Sequence, residues 1–213
     1  GICLRYRAAG AIDMKPHKTE KRPCTQTPSQ TVGPYFAYGL SPAQYGFDLP
    51  ELFGPTLAGP DCPGEPLLVI GQVFDGYGQP ITDALVELSQ LDAQGKDSGR
   101  ALHSVFRGFG RCGTGTLADG LYAFHTIRPG KAPGQVASCL HVTLFMRGLL
   151  THCFTRVYFA DEQAALEGDP VFQAVPEHRR SSLLARREPA MGAHAWRFDI
   201  HMQGPHETVF FDL

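Results

Sequence analysis

From residue 67 onward, apolar and polar residues alternate in short runs separated by Gly, Pro and Asp. Residues 67–74 form an apolar run closed by Asp75-Gly76. Residues 84–91 set Ala84, Val86 and Leu88 against Glu87 and Ser89. Residues 121–127 run from Asp119-Gly120 to Pro129-Gly130. Residues 138–146 place Leu140, Val142, Leu144 and Met146 on one face, and Cys139, His141, Thr143 and Phe145 on the other. Residues 151–159, 195–203 and 207–213 continue the pattern. A period of two with β-branched and aromatic enrichment predicts strands. One interval differs. Residues 161–174 and 176–187 are rich in Ala, Leu, Glu and Arg without alternation, which predicts one or two short helices, the second with Pro176 at its first position. About seven strands with one helical insertion near 161–187 predict an all-β fold, specifically a β-sandwich.

The N-terminal part reads differently. Residues 1–26 are expected to be a flexible extension, polar and basic over 15–23. The first methionine is Met14, so residues 1–13 are expected to be upstream of the native start or foreign to it. Residues 24–66 show little periodicity, and irregular stretches of that length are usually functional or disordered. The prolines and aromatics of residues 27–35 favour an ordered arm packed on something. The expected plan is therefore an arm and irregular segment over 27–66, then one β domain over 67–213.

Composition narrows this picture. With 24 Gly and 17 Pro in 213 residues, the chain exceeds the average share of about 12%, which fits a turn-rich β fold. Nineteen basic against 21 acidic residues argue against nucleic-acid binding through a general positive field. No apolar run reaches the roughly 18 residues that a membrane span needs. The six cysteines, Cys3, Cys24, Cys62, Cys112, Cys139 and Cys153, form no C-x-x-C pair, so no zinc ribbon is expected. Reduced thiols and a cytoplasmic location are expected, and no signal peptide is evident.

Four chemistries can be weighed on residue pattern. Cys139 and His141 share one strand face, and His152 or Cys153 on the next strand are candidate co-ligands, but the His141 strand holds no second histidine and Thr143 takes the next site on the face. A Ser-His-Asp hydrolase lacks its Gly-x-Ser-x-Gly turn. Gly108-Phe-Gly110 and Cys112-Gly-Thr-Gly115 lack the strand–loop–helix context of a phosphate site and are read as turn glycines. Arg179, Arg180, Arg186 and Arg187, placed on the second helix, read as a solvated face or a subunit contact. Residue pattern alone thus stops at a β domain without a self-sufficient catalytic constellation.

Longer stretches carry a resemblance. TPSQTVGPYFAYGL (27–40), GQVFDGYGQPITDALVELSQLDAQGK (71–96), FGR (109–111) and FHTIRPG (124–130) are followed by LFMRG (144–148), TRVYFADE (155–162) and WRFDIHMQGPHETVFFDL (196–213). In this order they resemble the protocatechuate 3,4-dioxygenase family of intradiol ring-cleaving enzymes, and within it the α subunit. The resemblance implies a hetero-oligomer with a β subunit that carries Fe(III) on two tyrosines and two histidines. It also implies an aromatic substrate, 3,4-dihydroxybenzoate, opened with O₂ to 3-carboxy-cis,cis-muconate.

The implied ligand positions are mostly altered here. The H-x-H pair falls on His141-Val142-Thr143, one tyrosine position falls on Ala132, and residues 96–108 contain no tyrosine. The resemblance therefore implies no metal and no catalytic residue in this chain, with His141 the only retained ligand-position residue. Its implied role is to complete the substrate pocket, with Thr31, Gly33, Pro34, Tyr35 and Arg147 as substrate-binding residues. Gly33 permits close backbone approach, Pro34 stiffens the turn, Tyr35 offers an aromatic wall, and Arg147 supplies a cation for an anionic substrate. The competing expectations are a diverged dioxygenase holding its own iron, and a β-sandwich scaffold or binding module without a ring-cleavage role.

Overall fold

The computed structural model describes residues 26–98 and 105–212. The expected flexible extension therefore lies, but for Gln26, outside the described residues. Nine strands follow one short N-terminal helix, α1 (Phe36–Leu40). They are β1 (Pro66–Phe74), β2 (Leu85–Ser89), β3 (Phe109–Gly113), β4 (Leu121–Ile127), β5 (Cys139–Phe145), β6 (Cys153–Phe159), β7 (Leu184–Arg187), β8 (Ala195–Arg197) and β9 (Ile200–His201). The hydrogen-bonded order is β3-β2-β5-β6-β7-β8-β1-β4, with β9 also on β1. The fold is mostly strand, as the alternation predicts, but the strands form one continuous curled sheet rather than two separately bonded ones.

β7 makes the sheet continuous. It runs parallel to β6 through Tyr158↔Leu184 and antiparallel to β8 through Arg187↔Trp196. Curling brings the inner faces of both halves onto one core, which includes Val69 and Val73 of β1, Leu88 of β2, Phe124 of β4, Leu140 and Leu144 of β5, and Phe159 of β6. The segment before β1 spans the two sheet ends. Leu57 donates its N–H to His125 O on β4 (2.8 Å) and accepts from Arg107 N at the entry to β3 (2.8 Å). On the outer edge of β3, the Gln44 amide donates to Gly113 O and accepts from Gly113 N, both at 2.8 Å. One side chain thus supplies what a neighbouring strand would, and blunts an exposed edge.

Four element readings are corrected. Residues 109–113, read as turn glycines, form β3. A side chain at Gly110 would lie 2.6 Å from Gly54 O, and one at Gly113 would strike the Tyr45 ring. These glycines let the N-terminal segment cross the strand. The helical insertion holds for α2 (Gln163–Gly168) and α3 (Pro170–Ala174), with Asp169 capping Val171 N (3.1 Å) and Phe172 N (2.9 Å). Residues 176–187 are not a helix: Glu177–Leu183 winds as a 3-10 turn, Pro176 precedes it as the N-cap, and the last four residues are β7. Pairing with β6 and β8 there overrides helix propensity. Residues 195–203 split into β8 and β9 because Asp199 Oδ1, not a backbone carbonyl, accepts from Gln72 N at 3.0 Å. Of the expected strand 207–213, the described residues 207–212 make a single bridge, Phe154↔Phe211, and Thr155 Oγ1 takes the Val209 carbonyl that a ladder would use (2.8 Å).

The turn after β4 is anchored by charge. Arg128 forks onto Asp161 (2.6 and 3.1 Å) and Glu162 (2.9 Å), and its guanidinium lies 4.2 Å from the centre of the Phe159 ring. Ser138 donates to Glu162 through both N–H (3.2 Å) and hydroxyl. Burial alone raises the Glu162 pKa, but the bonds from Ser138 and Arg128 outweigh it and hold it below the ordinary 4.5. A lowered acid pKa adds stability that is present above the ordinary value and lost as pH falls through the folded one. The urea midpoint of the native chain should therefore fall more steeply below about pH 4.5 than that of Glu162→Gln. Parallel curves for the two would contradict this.

Candidate functional site

The outer face of β2, β5 and β6 carries the candidate chemistry. Registers Ser89↔His141 and His141↔Arg156 set Ser89, His141 and Arg156 in one row across three strands, all leaving the sheet on the same side. One row further, Cys139 and Tyr158 are covered by Leu166 and Phe172 of α2 and α3. The His141–Arg156 row is where that cover ends. It opens on a cavity of about 430 Å³, whose wall also includes Gln90, Arg107, Ala132 and Gln135.

Ala132, expected at a tyrosine position, and His141 thus meet at one cavity. Ala132 sits there because Gln135 Oε1 accepts from Ala132 N (3.0 Å). Thr143 lies in the next row, opposite Glu87 and Phe154. The nearer neighbour of His141 is Cys139, whose Sγ is 3.8 Å from Nε2 and accepts from Gln135 Nε2 at 3.2 Å. His152 packs on Phe154 (4.5 Å between ring centres) and Phe145 instead, so neither it nor Cys153, which is paired to Leu144, joins this cluster.

Electrostatics weigh against a cation here. Burial pushes the Cys139 thiol up to about 11, so it is protonated at neutral pH. His141 is exposed as a residue, yet partial desolvation of its ring and then the Arg156 guanidinium hold its pKa below the ordinary 6.5. Among the described residues, no three His, Cys, Asp or Glu side chains group closely enough to hold a metal ion.

The residues expected to bind substrate lie at another end of the same face. Thr31 Oγ1 accepts from Gly148 N at 2.8 Å, which ties the N-terminal segment to the turn bearing Arg147. Phe36 packs on Phe145 with ring centres 5.3 Å apart. Gly33 O accepts from Phe36 N (3.2 Å) in the turn that carries Pro34 and Tyr35. Tyr35 is 79% exposed, touching Tyr38 edge-on. Arg147 Nε is held by Asp83, and its terminal nitrogens have no hydrogen-bond partner among the described residues. The structure therefore brings Thr31 and Arg147 into one neighbourhood and leaves Gly33, Pro34 and Tyr35 open. Of the basic residues, Arg179, Arg186 and Arg187 border a cavity of about 470 Å³ that also holds Glu188, Asp199 and Glu207, while Arg180 is turned onto Val175 O and Gln173 O. Sequence reasoning gave Arg156 and Arg107 no role: the cross-strand register brings Arg156 beside His141, and the segment before β3 brings Arg107 to the same cavity.

The match to the dioxygenase family covers residues 33–204. The chain belongs to the intradiol dioxygenase family. It is 52% identical over 192 residues to the protocatechuate 3,4-dioxygenase alpha chain of Burkholderia cepacia, covering 88% of this chain and 98% of that one. It is 34% identical over 165 residues to the beta chain of the same enzyme from the same organism, covering 68% and 67%. Among solved structures, the dioxygenase domain of a carbohydrate-binding fusion from Streptomyces sp. SirexAA-E superimposes with a TM-score of 0.52 at 27% identity, covering 83% of this chain and 97% of that domain.

The intradiol family implies iron, and the cavity at His141 can be tested for it. A ferric ion is hard and favours anionic oxygen donors. The cavity wall offers an alanine methyl, one imidazole, two guanidinium groups and a single carboxylate, Asp97, which already has an interaction of its own, and the thiol of the adjacent Cys139 is protonated. These residues do not fit Fe(III).

Proposed function

We propose that this chain is the non-iron α subunit of a protocatechuate 3,4-dioxygenase, which completes the substrate pocket of an Fe(III)-bearing β subunit for cleavage of 3,4-dihydroxybenzoate to 3-carboxy-cis,cis-muconate. The observation that carries this reading is the 52% identity to an alpha chain of that enzyme, supported by a cavity at His141 whose wall does not suit Fe(III). Thr31, Gly33, Pro34, Tyr35 and Arg147 form this chain's share of the pocket. An exposed Tyr35 supports that reading, because a large aromatic open to water in the lone chain suits a surface that a partner and substrate cover. The free terminal nitrogens of Arg147 suit a substrate carboxylate.

Within this reading, residues 27–66 are the partner-facing arm and residues 67–213 the dioxygenase domain, its curled sheet closing as a sandwich around the core. The four cysteines among the described residues are free thiols, which supports a cytoplasmic location. No helix among the described residues is long and apolar enough to cross a membrane. The test is a ring-opening assay on this chain, on the β subunit, and on the two co-expressed. Activity that requires both chains supports the proposal. Full activity of the β subunit without this chain, or no complex between them, overturns it and favours the scaffold reading.

A further inference from the structure

The cavity beside His141 has features that loss of a metal site does not explain. Its charged wall is positive. Arg156 stands in the His141 row of the sheet, and Arg107 enters from the segment before β3. Neither guanidinium has a carboxylate partner among the described residues: that of Arg107 donates to Leu52 O at 3.4 Å, and that of Arg156 meets the Tyr158 hydroxyl and lies 5.9 Å from the centre of the Phe211 ring. Asp97 is the acid on this wall, and it already has an interaction of its own. The amides are committed to protein. Gln90 donates to Ile127 O (2.9 Å) and accepts from Thr126 Oγ1 (2.7 Å), and Gln135 joins Ala132 N to Cys139 Sγ. Leu91 and Ala132 add apolar surface. At about 430 Å³ the space is within the range of small-molecule sites, and larger than one inorganic ion needs.

We propose that this cavity binds a small organic carboxylate, with Arg156 and Arg107 as its cationic anchors, His141 as an N–H donor, and Leu91 and Ala132 against the ligand's body. The guanidinium fork presents paired donors to a planar carboxylate, and the stacking of Arg156 near Phe211 limits the orientations it must give up on binding. The lining named here includes none of Thr31, Tyr35 and Arg147, and the proposal does not depend on the ring-cleavage reading.

Benzoate is the probe. Titration calorimetry on the purified full chain should show one benzoate bound per chain. Benzamide, its neutral isostere, should bind about tenfold more weakly or less, and Arg156→Gln should weaken benzoate about tenfold. A thermal scan checks that Arg156→Gln folds. If it does not, Arg107→Gln serves in its place and should also weaken binding. No benzoate binding at millimolar concentrations overturns the proposal. So does equal affinity in the folded variants and the native chain, or displacement of benzoate by equimolar inorganic phosphate, which would indicate general anion attraction. These outcomes are separable from a failed ring-opening assay, because no partner chain, iron or turnover enters the measurement.

Discussion

Gly71→Ala should destabilise the chain by about 3 kcal/mol or more, combining overpacking with loss of a buried hydrogen bond. Gly71 is buried in the middle of β1, opposite Tyr122 of β4. A methyl group placed there would sit 1.8 Å from Phe198 O and 2.7 Å from the Tyr122 hydroxyl. The obstacle is mainly backbone, so no rotamer change relieves it. Relief requires moving the Phe198 carbonyl, to which the buried Tyr122 hydroxyl donates. That shift would pull Phe198 from its bond to Ile70 O (2.8 Å) and disturb Trp196, both core residues. Tyr122→Phe removes only the hydroxyl and should cost about 1 kcal/mol. Urea unfolding of both variants checks the order. A Gly71→Ala chain within 1 kcal/mol of the native one would contradict this account of the β1–β4–β8 junction.

In the complex with its partner, Arg147→Ala should raise KM for 3,4-dihydroxybenzoate at least about tenfold, equivalent to about 1.4 kcal/mol of lost carboxylate binding. Its effect on kcat should be smaller, because in the proposed pocket the arginine meets a part of the substrate remote from the ring bond that breaks. Asp83 holds the guanidinium through Nε, so Asp83→Ala should give a milder KM increase through loss of positioning. Arg147→Lys should recover part of the affinity but not the forked geometry. Steady-state kinetics of the three variants settle it. An unchanged KM in Arg147→Ala would remove this residue from the pocket.

Three strands that carry much of the core were legible: the apolar run 67–74, the turn-bracketed 121–127 and the alternating 138–146 form β1, β4 and β5 within a residue or two. β3 was not legible. Its glycines serve a crossing chain segment, and nothing local distinguishes that need from a turn. β7 was hidden for another reason: its Leu-Ala-Arg-Arg sequence favours a helix, and only pairing on both sides makes it a strand. The site was half legible. The resemblance assigned ligand positions to Ala132, His141 and Thr143, and the structure places Ala132 and His141 on one cavity. The roles of Cys139 and Arg156 follow from register across strands, which no motif encodes.

The central claim is that this chain contributes pocket but not metal. Iron analysis of the chain purified alone, and of the chain co-purified with its β subunit, tests it most directly. The account predicts iron in the complex, near one per αβ pair, and none above background in the chain alone. Stoichiometric iron bound by the chain alone would contradict it.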